Sequence, residues 1–327
     1  MGPEIIEVER GPTSTERPCA EAPVGLEARL QCPVCHGEAR EIVWAGAFRD
    51  PDVRAFLEEH RYAGNPVEAL ADQCFELVRC LGCDLRYHAR VLDAEGLSRL
   101  YGAWIDAAQI ERFEAVHGRE TRFVQGRHLV KQVLRLHALA GSRDDMTVLD
   151  FGCGDGRTLR VIEALGLRAI GVDASSTRTE RAARAGLSVH ATLEAALAET
   201  GGSVDAIVMS EVVEHMVAPR RVLADLVAAL RPDGVMLIEA PDASGLEGAP
   251  QGFDQLRVVH PLEHVNAFTP ATLERLASRV GLTPAPTPPA HATTHLGDLV
   301  LSELARWVSR PTTGRTKNRL VVSADGP

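Results

Sequence analysis

The sequence predicts an α/β protein in which a mostly parallel, doubly wound sheet follows a small metal-binding module. Three observations carry this. Between Thr147 and Asp173 a strand, a glycine-rich loop, a helix and a second strand ending in an acid follow one another. Short apolar runs then alternate with helical ones as far as Ser323, the pattern of a sheet covered on both faces. Two Cys-x-x-Cys pairs, Cys32/Cys35 and Cys80/Cys83, stand ahead of it.

Composition sets the outer limits. At 327 residues the chain exceeds one average domain. A hydrophobic share of 45% and a charged share of 24% are ordinary for a soluble globular protein. The net charge of −10 gives no general attraction to phosphate backbones or anionic lipid. No apolar run reaches the roughly 20 residues of a membrane span. Met1 to Arg17 carries Glu4, Glu7 and Glu9 and no apolar centre, so it does not read as a signal peptide. The expected setting is a reducing cytoplasm, where paired cysteines indicate metal rather than disulfide.

Residues 1–29, rich in Pro, Glu and Thr, read as a mobile segment. Residues 30–92 read as a zinc ribbon. Cys32-Pro-Val-Cys35 opens it, and Phe75-Glu-Leu-Val-Arg-Cys80-Leu-Gly-Cys83 is a strand running into the second knuckle. Four thiolates at this spacing suit tetrahedral Zn²⁺, which would substitute for a core too small to stand alone. The long gap between the knuckles holds an insert, helical with Pro and Gly breaks from Pro51 to Asp72. Cys32-Pro-Val-Cys35-His36 also fits c-type haem attachment, but that reading needs export and leaves Cys80 and Cys83 unexplained. Cys19, Cys74 and Cys153 have no partner pattern.

Residues 93–145 read as a helical connector or lid, with helices at Glu95–Tyr101 and Glu120–Leu139. Tyr101, Trp104, Phe113 and Phe123 are lid candidates, though aromatics at such spacings more often pack than touch substrate.

Residues 146–327 carry the sheet. Thr147–Phe151 is short, β-branched and apolar, as a buried parallel strand should be. Gly152, Gly154 and Gly156 allow a sharp turn and close approach of a ligand, and a helix opens near Arg157. Asp173, at the end of the second strand, is placed to accept from ribose hydroxyls. The Gly-x-Gly-x-Gly spacing is one residue tighter than a dinucleotide fingerprint, and no Gly-Lys-Ser/Thr is present for a P-loop. Helices are then expected at 177–185, 193–200 and 219–230, and strands at 187–190, 204–209 and 235–240. Asp242–Gln255 reads as loop. Thr269-Pro270 caps a helix to Val280. A weak strand at 282–287, a helix at 298–309 and a last strand at 319–323 complete the count.

The chemistry is expected beyond the fourth strand. Should Ser210-Glu211-Val-Val-Glu214-His215 turn helical, Glu211, Glu214 and His215 share one face. The loop Glu263-His264-Val-Asn266 would fold over the same rim. Three readings stay open. Glu211, Glu214, His215 and His264 could hold Mg²⁺ or another divalent cation. His215 or His264 could act as a general base without metal. Or Glu214 and His215 could only pin the loops. His260-Pro-Leu-Glu263-His264 matches a metalloprotease string, but that string needs a continuous helix, which Thr269-Pro270 shortly ends.

Asp150-Phe-Gly-Cys-Gly-Asp-Gly156 resembles the first motif of class I S-adenosylmethionine (SAM) methyltransferases. With the ribbon ahead of it, the chain resembles a bacterial group of zinc-ribbon methyltransferases acting on small molecules, often natural products or nucleotide-linked sugars. The Glu-x-x-Glu-His pattern and later His resemble those of metal-dependent O-methyltransferases, among them the ubiquinone-biosynthesis type and small-RNA 3′-terminal methyltransferases. The resemblance implies a Rossmann-like seven-stranded sheet whose last strand is antiparallel beside the fifth. It implies SAM as cofactor, held by Asp150, Gly152, Gly154, Gly156 and Asp173, with Ser210 and Glu211 near its methionine end and His190 beside the adenine. It implies His215, His264 and Glu214 as catalytic groups. The expected partner is a small-molecule acceptor, with O-methylation favoured, no membrane, and nucleic acid disfavoured by the acidic chain. RNA modification through the ribbon, or SAM binding without turnover, are the alternatives. The oligomeric state is not legible in the sequence.

Overall fold

The structure, a computed structural model, describes residues 25–59, 62, 66–105, 119–288, 290 and 317–323. The N-terminal part contains β1 (Leu26–Ala28), β2 (Arg40–Ala47), α1 (Pro51–Glu59), α2 (Pro66–Leu70), β3 (Cys74–Cys80), β4 (Arg86–His88) and β5 (Arg90–Leu92). β2, β3 and β4 form an antiparallel sheet, and β1 pairs with β5. Residues 26–28 are thus a strand, although they fall in the stretch expected to be mobile. The Pro and Gly breaks between Pro51 and Asp72 divide the insert into two short helices, whose Val53, Phe56, Leu57, Val67 and Leu70 are buried. They pack with Phe48, Phe75 and Trp104 in one apolar cluster.

The connector holds α3 (Ala94–Arg99), capped by Asp93, a π-helical turn at Leu100–Trp104, and α4 (Arg119–Leu139). Then come β6 (Thr147–Phe151), α5 (Arg157–Ala164), β7 (Arg168–Val172), α6 (Ser176–Arg184), β8 (Val189–His190), α7 (Leu193–Thr200), β9 (Val204–Ser210), α8 (Pro219–Ala228) and β10 (Leu230–Pro241). The remainder is α9 (Gly252–Val259), β11 (Asn266–Ala267), α10 (Pro270–Ser278), β12 (Thr283–Pro284) and β13 (Lys317–Ser323).

Seven strands lie in the order β12-β13-β10-β9-β6-β7-β8. β10, β9, β6, β7 and β8 run parallel, and β13 is antiparallel beside β10. The sheet has the expected seven strands, with the expected reversed last strand beside β10. The period of two sorts its side chains between two cores. Leu149, Ile207, Met209 and Ile238 face one cluster, while Val148, Ala206, Val208 and Leu237 face the other with Val133 and Leu136 of α4. Strand order reverses about β6, so a crevice opens beyond the carboxyl ends of β6 and β9.

Two local expectations fail. Residues 211–216 form no α-helix, only a 3₁₀ turn at Val213–His215. The cause is Glu211, whose φ of 58° breaks the right-handed path directly after β9. The stretch read as loop is loop only to Gln251, where it gives way to α9, which starts at Gly252 (φ 71°) and buries Leu256 and Val259. Thr269 caps α10 in a reciprocal capping box with Thr272. The helix expected at 298–309 and Cys19 lie outside the described residues.

The ribbon is not a separate bead. β11, between the site loop and α10, adds a fourth strand to its sheet by pairing with β4. Cys32, Val78, Leu85 and Tyr87 share one buried cluster with Ile207, Met209 and Phe268.

Candidate active site

The glycine-rich loop is tied to the neighbouring strand by its backbone. The amides of Gly152 and Cys153 donate to the carbonyl of Val172 at 2.7 and 3.1 Å. Gly152, Gly154 and Gly156 have φ of 80°, 54° and 75°. A Cβ on Gly152 would stand 2.4 Å from Val212, and one on Gly156 2.3 Å from Leu187; at Gly154 nothing lies within 4 Å. Gly156 therefore serves helix–strand packing, and Gly154 leaves open space. Asp173 follows β7, with Oδ2 accepting from Gly154 N of the loop at 2.9 Å and Oδ1 from Ser175 N at 2.9 Å. Cys153 packs toward Gly171, where a Cβ would meet its Sγ at 2.6 Å.

A cavity of about 1790 Å³ lies over this loop. Small-molecule pockets span about 300–1,000 Å³, so it has room for a nucleoside and a second molecule. Gly152, Asp173 and Glu211 are among its lining residues; Asp150, Gly154, Gly156 and Ser210 are not. Asp150 is buried on β6, and burial pushes its carboxyl up to about 7; a hydrogen bond from Thr158 opposes this and the charge of Asp173 adds to it. His190 turns to Glu199, with Nε2 2.9 Å from Oε2, and the wall at that corner is formed by Ala191 to Glu194. Of the aromatic lid candidates, Tyr101 lines the cavity while Trp104 is buried in the insert core. Phe113 and the side chain of Phe123 lie outside the described residues.

At the far wall the 3₁₀ turn and the loop before β11 meet. Ligand atoms of Glu214, His215 and His264 all lie within 4.8 Å of one another. Glu211 is not in this group, because its left-handed backbone separates it from the turn. His215 stands between two buried carboxylates, with Nε2 3.9 Å from Glu214 and Nδ1 3.9 Å from Glu263. The rings of His215 and His264 meet edge to face at 4.8 Å, and His260 lies 4.6 Å from His264. Glu263 accepts from the hydroxyl of Tyr62, which comes from the ribbon insert. Since α9 ends at Val259, residues 260–264 are not helical, and the protease string has no structural basis.

Sequence reasoning missed Tyr62, His260 and Glu263 as site residues. It also missed Glu239, fully buried on β10. That carboxylate accepts from His128 Nε2 at 2.9 Å, from Ser210 Oγ at 3.3 Å and from Gln132. Its carbonyl accepts from Glu211 N at 2.9 Å. Glu239 thereby fixes the strand end that carries Ser210 and Glu211. An acid in the middle of an apolar run was the available signal.

The ribbon cysteines also converge. Cys32 and Cys83 are 3.5 Å apart at sulfur, Cys35 and Cys80 3.4 Å, and all four lie within 4.8 Å. Zn–S bonds of about 2.3 Å set tetrahedral sulfurs about 3.8 Å apart, so the quartet fits zinc. The amides of Gly37 and Gly82 donate to Cys35 and Cys80 at 3.4 Å. The hydrogen bond with Cys83 pulls the Cys32 thiol below the usual thiol range. Cys74 stands apart, at the start of β3.

A family model described as a methyltransferase domain matches residues 119–286, just over half of the 327. The chain belongs to that methyltransferase family. Among related sequences, ubiquinone biosynthesis O-methyltransferases recur. That of Parvibaculum lavamentivorans is 37% identical over 101 residues, covering 29% of this chain and 40% of that protein. That of Brucella ovis is 33% identical over 160 residues, covering 43% and 64%. The methyltransferase thus matches less than two thirds of the length of these relatives. Among solved structures, the plantazolicin methyltransferase BpumL with a triazolic analogue and SAH gives a TM-score of 0.48 at 17% identity, over 71% of this chain and 95% of that one. The 1,6-didemethyltoxoflavin-N1-methyltransferase of Burkholderia thailandensis gives 0.41 at 21%, over 66% and 90%. The matched segment contains the glycine loop, Asp173, Glu239 and the Glu214/His215/His264 group, and the ribbon lies outside it. No helix among the described residues is long and apolar enough to cross a membrane.

Proposed function

We propose that this methyltransferase moves the methyl group of SAM to a hydroxyl of a small-molecule acceptor bound beside Glu214, His215 and His264. One observation carries the reading: a single cavity reaches from Gly152 and Asp173 to His215 and His264. Asp173 would hold the ribose, and Gly152 and Gly154 would leave room for the methionine end. SAM supplies a methyl group already activated by its sulfonium charge. The chain contributes orientation, exclusion of water and removal of one proton. His215, flanked by the Glu214 and Glu263 carboxylates, is suited to accept that proton as the acceptor oxygen attacks. Similarity to ubiquinone biosynthesis O-methyltransferases supports oxygen as the nucleophile.

Two imidazoles and a carboxylate also fit a divalent cation, which when bound would lower the pKa of the acceptor hydroxyl. With Glu211 outside the group, the donors are nitrogen-rich. Such a set suits Mn²⁺, Fe²⁺ or Zn²⁺ better than Mg²⁺, which prefers oxygen.

The test is methyl transfer from labelled SAM to a panel of phenols, catechols and sugar hydroxyls, with and without chelator. Turnover that falls in chelator and returns with Mn²⁺ supports the cation. Turnover unaffected by chelator, with ribbon zinc retained, leaves His215 as a metal-free base. No transfer to any hydroxyl acceptor, alongside transfer to an amine, would contradict O-methylation.

A further inference from the structure

The two loops that bring His215 and His264 together do not touch through those side chains alone. They are clasped from below by two fully or nearly buried polar residues, Asn266 and Arg29. Asn266 Nδ2 donates to the carbonyl of Met216 at 2.7 Å, with the carbonyls of Val213 and Glu214 at 3.3 and 3.4 Å. Val213 and Glu214 lie in the 3₁₀ turn and Met216 directly after it; the turn itself supplies the Val213 carbonyl with the Met216 amide at 3.4 Å, and buried carbonyls need donors. Asn266 Oδ1 in turn accepts from Arg29 Nη2 at 2.9 Å. The same guanidinium donates to Val217 O at 3.0 Å, past the turn, and to Val265 O at 3.2 Å, next to His264. It lies over the Tyr87 ring, 5.2 Å from its centre. Burial lowers the Arg29 pKa only to about 10, so it stays charged at neutral pH.

Arg29 belongs to the ribbon. It sits three residues before Cys32, its amide donates to Ala89 O at 2.7 Å, and its carbonyl accepts from Arg40 at 2.5 Å. β4 and β11 pair alongside, with Asn266 opposite Tyr87. One cation on the ribbon thus holds both halves of the histidine cluster through backbone carbonyls and one amide.

We infer that Arg29 and Asn266 are positioning residues: the ribbon sets the separation of His215 and His264 by clasping the turn and loop that carry them. The importance of this for turnover rests on the proposed function, whereas the positioning itself does not. The ribbon then acts on the active site without contributing a group to the reacting atoms through this clasp.

The test uses the full chain and reads the imidazole nitrogen NMR signals of His215 and His264, assigned with His215→Gln and His264→Gln. Asn266→Asp is the main variant. It keeps an oxygen toward Arg29 and replaces the donors to the turn with a carboxylate oxygen, an acceptor that cannot bond the Met216 carbonyl. Arg29→Met and Arg29→Lys form the second pair. The expected result is displaced signals for both histidines in Asn266→Asp and Arg29→Met, with partial return in Arg29→Lys. Zinc content and calorimetric affinity for SAH should stay at the parent level. Unchanged histidine signals in both Asn266→Asp and Arg29→Met would overturn the inference. Joint loss of SAH affinity, zinc and histidine signals would overturn it too, because the pair would then support the whole fold rather than this turn. A parent chain that fails to bind SAH would count against the proposed function while leaving the histidine readout intact.

Discussion

The backbone amide of Gly154 donates to Oδ2 of Asp173 over 2.9 Å. The acid read as the ribose partner therefore also fixes the loop that must leave space for the rest of the cofactor. Loop and acid form one unit, and a change in either alters both.

Gly154 and Gly156 separate the two duties of that loop. Gly154→Ala meets no neighbouring atom, so its cost is the left-handed backbone alone, about 1–2 kcal/mol. Gly156→Ala adds a collision with Leu187 at 2.3 Å and should be the more destabilising of the two. Denaturant unfolding should rank them in that order. Calorimetry should show Gly154→Ala losing SAH affinity out of proportion to its stability.

The ribbon thiols predict tightly held zinc. Metal analysis of the purified chain should find zinc that survives mild chelator and leaves on treatment with a thiol-modifying mercurial. Cys80→Ser should lose it. Because β4 pairs with β11 and the ribbon core continues into the sheet, the loss should destabilise the methyltransferase part as well. Independent melting of an unaffected sheet domain would contradict this.

Asp150 predicts a pH dependence of stability. Burial raises its carboxyl from 3.8 to about 7 in the folded chain. The folded state thus holds a proton that the unfolded state releases, and stability is fully present below about pH 4. It is lost as pH rises, until the folded carboxyl has ionised above about pH 7. Asp150→Asn should remove this loss, gaining on the parent by an amount on the order of a few kcal/mol at pH 8 and little at pH 4. Urea midpoints of parent and variant across that range check it.

His215 and His264 should matter for turnover rather than for cofactor uptake. With an acceptor in hand, His215→Ala should cost roughly 10²–10⁴-fold in rate, the range for removing a general base. SAH affinity should stay close to that of the parent, because Asp173 and Gly152 are untouched. Glu263→Gln, which alters the partner of both Tyr62 and His215, should shift the pH profile of turnover.

Much of this fold was legible because local signals agreed with it. The β-branched run at Thr147–Phe151, the three glycines and Asp173 state a strand, a turn and an acid in seriatim order, and Thr269-Pro270 marks a helix start with both cap and first-turn residue. The four cysteines were readable because metal spacing is a local pattern. What escaped depends on long-range contact. Glu211 turns left-handed because its amide is drawn to the Glu239 carbonyl on the next strand. Arg29 looked like the end of a polar tail, yet its partners on the two site loops lie 188 to 237 residues away. Tyr62 reaches a carboxylate 201 residues on. Helical spacing at Glu211, Glu214 and His215 was a real pattern in the sequence, but a single backbone angle cancelled it.

Calorimetric titration of SAH into the parent chain and into Asp173→Ala shows whether the loop and Asp173 together take up the cofactor. Loss of a charge-assisted contact costs about 1.5–3 kcal/mol, so the parent should bind and the variant should bind at least roughly tenfold more weakly. No uptake by the parent, or equal uptake by both, would contradict it.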